Sequence, residues 1–114
     1  MTNGPEYVEA VLAKIEHIST AIGALAGAEE GWKADAQGRL AAAAELLKGT
    51  TDRFFLKTRV CLPFARKCDQ AADELAALVS ESAGQQELEA ALALLEKTAR
   101  TLDERSMMQG MSIT

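Results

Sequence analysis

The chain has 114 residues, with twelve basic against seventeen acidic side chains and a formal net charge of −5. That length holds one domain with one core and excludes two ordinary domains. The charge excludes nucleic-acid binding through a general positive field, and no uninterrupted apolar run reaches the roughly 18 residues of a spanning helix.

No basic start followed by an apolar stretch marks a signal peptide, so the chain reads as soluble, and cytoplasmic by default unless a leader preceded residue 1. Much of the 48% apolar fraction is alanine, and only five residues are aromatic, which favours helices over strands. Two cysteines make no disulfide framework.

The first element is expected over 5–26. Pro5 suits an opening turn, Asn3 or Gly4 can cap it, and Val8, Val11, Ile15, Ile18, Ile22 and Leu25 recur at three- and four-residue steps. Gly27, near the acidic AEE connector, is its expected stop. A second helix is expected over 32–48, with Ala36, Leu40, Ala43 and Leu47 on one stripe, Trp32 plugging one end, and Gly49 ending it.

The third helix is expected over 51–81, capped by Thr50 or Thr51. Its seam is Phe54, Thr58, Cys61, Ala65, Cys68, Ala72, Leu75 and Val79. A straight rod of that length, about 45 Å, would overhang its neighbours. Pro63 removes an amide donor and clashes with the carbonyl of Arg59, so a kink or break is expected there.

The fourth helix, 85–105, follows the SAGQQ break and carries Leu88, Leu92, Leu95, Ala99 and Leu102, while residues 107–114 read as a flexible tail. Four amphipathic helices with short connections predict an all-α, single-domain, antiparallel four-helix bundle.

Catalytic and cofactor motifs are missing from the sequence. A di-metal bundle needs Glu-x-x-His pairs, whereas His17 is the single histidine and has no glutamate three positions before it. Cys61, Cys68 and one histidine do not complete a tetrahedral zinc set, and there is no Walker loop, dinucleotide turn or nucleophile elbow. The expectation is no enzyme, cofactor or metal. Seven residues of helix, about 10.5 Å, separate the cysteines, too far for a disulfide, so they read as packing thiols. Arg59, Arg66 and Lys67 would lower the pKa of an exposed thiol nearby.

The segment RFFLKTRVCLPFARKC, residues 53–68, holds all three phenylalanines, both cysteines and five basic residues without an acid, leaving seven basic against seventeen acidic residues elsewhere. Arginine beside surplus aromatic bulk is a composition of interface centres. The expected docking residues are Arg53, Phe55, Lys57, Arg59, Phe64, Arg66 and Lys67. They imply a non-enzymatic adaptor or subunit that meets an acidic protein surface, with a homo-oligomer through the alanine-rich faces of the second and fourth helices as a further arrangement.

Two resemblances give alternatives. The stretch HISTAIGALAG, residues 17–27, resembles the phosphoacceptor helix of histidine phosphotransfer domains, which are also four-helix bundles; this implies His17 as phosphoacceptor. Those domains usually carry lysine and glycine three and four residues after the histidine, where this chain has Thr20 and Ala21. The helix pattern as a whole, with a basic third helix, loosely resembles extrinsic photosystem II subunits of the PsbQ type. That resemblance implies a structural subunit of a larger complex.

Overall fold

A computed structural model describes the backbone of residues 4–54 and 58–107, and side chains over 6–50 and 62–106. Helix α1 spans Gly4–Gly23, α2 Glu30–Phe54, α3 Thr58–Ser80 and α4 Gln85–Met107, and the described residues contain no strand. Among them no helix is long and apolar enough to cross a membrane.

The seams form the core as their spacing predicts, except at Leu25, which lies past the end of α1 and is half-buried. Val8, Val11, Ile15, Ile18 and Ile22 of α1, Ala36, Leu40, Ala43 and Leu47 of α2, Ala65, Cys68, Ala72, Leu75 and Val79 of α3, and Leu88, Leu92, Leu95, Ala99 and Leu102 of α4 are all buried. A side chain every three or four residues stays on one side of a helix, so each helix can bury only that stripe. Phe54, Thr58 and Cys61 extend the expected seam, but their side chains lie outside the described set.

Helix pairs α1–α2, α1–α3, α2–α4 and α3–α4 make the principal contacts. Two of these pairs are joined by short connections, 24–29 and 81–84. The other two are joined by ion pairs at their edges. Lys14 of α1 reaches Asp69 and, at 2.8 Å, Asp73 of α3. Arg39 of α2 donates from Nη1 to Glu89 at 2.7 Å and from Nε and Nη2 to both carboxylate oxygens of Glu96 on α4.

Three expected boundaries are corrected. Gly49 does not end α2, which continues to Phe54, so the expected third helix over 51–81 is divided and α3 begins at Thr58. Thr50 is consequently no cap. It is buried inside α2 and donates its hydroxyl to the Leu47 carbonyl at 2.7 Å. The weakness of a helical glycine, about 1 kcal/mol, is outweighed by burial on either side of it.

Residues 55–57 and the tail 108–114 lie outside the described residues. Pro63 sits inside α3 as its sixth residue, with no break in the helix there. One hydrogen bond is forgone, since proline has no amide proton for the Arg59 carbonyl.

The third correction is at α1, which ends at Gly23 rather than near Gly27. Gln37 of α2 donates to the Ser19 carbonyl at 2.9 Å, and a Cβ on Gly23 would lie 2.7 Å from that amide nitrogen. The end of α3 is a Schellman motif: Ala83 N–H donates to Leu78 and Ser82 N–H to Val79. Ser82 holds the left-handed conformation, φ 54°, that glycine usually takes there.

Ser82→Gly should therefore stabilise the protein by about 1 kcal/mol, and Gly38→Ala, on an exposed helical position with open space around it, by about 0.5–1 kcal/mol. Gly23→Ala should gain less, because it must displace Gln37. Urea denaturation of the three variants measures all three effects.

Candidate functional site

The basic and aromatic cluster is built on the N-terminal half of α3. Ala65 and Cys68 occupy the buried seam, and each residue of a helix turns about 100° from the last. Phe64 and Arg66, on either side of Ala65, are therefore directed to different neighbours. Phe64 is half-buried against the core at the edge of α4, with Arg105 of α4 5.3 Å and Lys67 5.7 Å from its ring centre. Arg66 is exposed and reaches towards α1, 5.9 Å from the ring centre of Tyr7. Such contacts at exposed sites contribute about 0.5–1 kcal/mol each.

The seven expected docking residues are thus divided. Phe64, Arg66 and Lys67 lie within about one helical turn of one another, in the N-terminal half of α3. Arg53 is on α2 and Arg59 on α3 by backbone, with side chains outside the described set; Phe55 and Lys57 lie outside the described residues. Phe64, Lys67, Leu94, Lys97, Thr98 and Thr101 line a groove of about 310 Å³ between α3 and α4.

The α4 half of that groove escapes a reading centred on residues 53–68. Leu94 is 44% exposed, the one large hydrophobic so exposed among the described residues. Its signal in the sequence is modest: Leu94 is an extra leucine next to seam residue Leu95, three positions before Lys97.

A larger groove, about 580 Å³, lies between α1 and α2, floored by Leu12, Ile15, Leu40 and Ala44. Several of its polar groups are engaged by the chain itself. Thr20 bonds the Glu16 carbonyl, Gln37 the Ser19 carbonyl, and Lys48 pairs with Glu45. His17 is exposed on α1 at the rim of a third groove, with Ala21, Leu25, Ala76 and Val79. No cluster of histidine, cysteine and carboxylate side chains suited to a metal ion occurs among the described residues.

Shifted ionisations belong to the scaffold. Hydrogen bonds from Arg39 and from the Trp32 indole, the latter at 3.0 Å, hold the Glu89 carboxyl below its ordinary range. The bonds to Glu96 and Glu89 raise Arg39 in turn. Desolvation alone would lower Lys14, but its bonds to Asp69 and Asp73 prevail and raise it. Burial pushes the Cys68 thiol up to about 11, against the pull of Thr98. Cys68 is consequently an inert packing thiol, the reverse of an activated nucleophile.

Compared with protein families, with curated proteins and with solved structures, the chain matches none.

Two measurements follow. Because Glu89 is held below its ordinary value of 4.5, its contribution to stability is present above that pH and is lost as pH falls through the lower folded value. Glu89→Gln should flatten the dependence of stability on pH below 4.5, read by denaturation between about pH 6 and pH 3. In a Cys61→Ala background, Cys68 should alkylate at least about a hundredfold more slowly in the folded protein than in urea, since a rise from 9.0 to about 11 lowers the thiolate fraction by that factor.

Proposed function

We propose that the protein is a non-enzymatic helical-bundle adaptor or subunit that docks onto an acidic protein surface through the basic and aromatic cluster of α3. The observation that carries this reading is the half-buried Phe64 ring flanked by Lys67 and Arg105, beside the exposed Leu94. An apolar anchor within a cationic rim suits a partner whose acids surround an apolar contact: the rim steers the encounter and the anchor slows release.

In this reading successive helices run antiparallel. The named contacts support it: Tyr7 meets Arg66, Lys14 meets Asp69 and Asp73, and Ile18 and Leu25 share a groove with Ala76 and Val79, so α1 and α3 advance together. A bend of α3 at Pro63 belongs to the same proposal, since it would turn the first turn of α3, with Arg59, relative to Phe64. Arg53, Phe55, Lys57 and Arg59 belong to the same proposed docking segment by sequence.

The test is affinity capture from native extract with wild type and with R59A/R66A/K67A. Phe64 is left intact because it packs against the core, where alanine would cost stability as well as contact. Capture should fall at least about tenfold in the variant and weaken with salt, while the unfolding midpoint changes little. Undiminished capture would refute the reading.

His17 supports a second reading, phosphotransfer, on the single observation that its side chain is exposed on a helix. Acid-labile phosphate incorporated by a kinase-containing extract and lost in His17→Gln would establish it.

A further inference from the structure

The chain carries a second stripe on α3, one step off the seam: Phe64, Lys67, Ala71, Glu74 and Leu78, at spacings of three, four, three and four, of which Ala71 is itself buried in the core, Phe64 and Leu78 are half-buried, and Lys67 and Glu74 are exposed. This stripe borders α4, whose exposed Leu94 lies one helical turn from Lys97 and Thr98 in the groove shared with Phe64 and Lys67. Its order along the axis is aromatic, cation, small, anion, aliphatic. Read in the opposite direction it is aliphatic, anion, small, cation, aromatic, which is its own complement.

We infer that the α3–α4 face is a two-fold interface for a second copy of this chain. Phe64 and Leu78 each lie about 10 Å from Ala71 in opposite directions, and Lys67 and Glu74 about 6 and 4.5 Å from it, at 1.5 Å rise per residue. A two-fold axis near Ala71 therefore sets Phe64 against Leu78 of the other copy and Lys67 against Glu74, with the two Leu94 side chains near the centre. An isologous contact requires this kind of self-complementarity.

The exposures agree with that assignment. Lys67 and Glu74 are exposed and make no ion pair with each other or elsewhere among the described residues, while Phe64 and Leu78 are half-buried, each with apolar surface remaining. Ala71 is buried in the chain's own core and marks only the level of the axis, so the contact there falls to Lys67, Glu74 and Leu94. Two 23-residue helices side by side present a face of about 35 by 20 Å, about 700 Å² per copy, close to the roughly 800 Å² per partner of a standard interface.

The inference goes beyond the adaptor reading and does not require it. Phe64 and Lys67 would serve both surfaces, so self-association and capture of an acidic partner would exclude one another.

The test is sedimentation equilibrium of the purified full chain from about 1 to 200 µM, a range that populates both species of a modest interface. Wild type should dimerise, and Leu94→Asp, at an exposed position, should be monomeric throughout with an unchanged far-UV circular dichroism spectrum. K67E and E74K should each weaken dimerisation at least about tenfold, and the double swap K67E/E74K should restore it. Monomeric wild type over the whole range, a dimer indifferent to Leu94→Asp, or a double swap no tighter than the single changes would each overturn the inference. The experiment uses no partner, so its outcome is independent of the capture assay.

Discussion

Burial of four narrow apolar stripes is the constraint from which the other features follow. Each stripe repeats at three- and four-residue steps and mixes leucine or isoleucine with alanine, so helices approach closely wherever alanine faces a neighbour. With so few aromatics, stability comes from many small and medium side chains rather than a few large ones. The interior leaves no described side-chain nitrogen or oxygen buried without a hydrogen-bond partner, as a close-packed helical core requires. Apart from Lys33, which is buried and paired with Glu30, the described charged groups lie at helix edges, where they can join neighbours or face solvent.

That confinement explains where the ion pairs occur. Helices α1 and α2, and α3 and α4, are held near one another by connections of a few residues. The pairs α1–α3 and α2–α4 have no such tether, and across them lie Lys14 with Asp69 and Asp73, and Arg39 with Glu89 and Glu96. Apolar stripes tolerate sliding by a turn better than a two-carboxylate clamp does, so these pairs help fix the register. Exposed ion pairs add little net stability, but the bidentate Arg39–Glu96 contact is of the geometrically specific kind.

The cluster on α3 is the counterpart of this scaffold. Its aromatic ring and cations sit one step off the buried stripe, where packing accounts for only part of their surface. The same half-packed stripe carries both the proposed docking anchor and the proposed two-fold contact. A chain that can satisfy such a surface either with itself or with an acidic partner has a simple basis for switching between them.

The helices and their buried stripes were legible in the sequence because periodicity reports directly on which side of a helix is apolar. Helix ends were legible only in part. Gly49 and Thr50 have the local chemistry of a stop and a start, but burial of Leu47 and Thr50 carries α2 past them, and Ser82 accepts a conformation that propensity assigns to glycine. Phe64, Arg66 and Lys67 stood out by composition, whereas Leu94 and Arg105 did not, since their relevance depends on α4 lying beside α3. Sequence by itself determined the helical class and the core stripes, which follow from intervals within one helix. Tertiary structure alone decided which helices are neighbours, where α2 yields to α3, and which side chains complete the Phe64 cluster, because those depend on contacts between residues far apart in the chain.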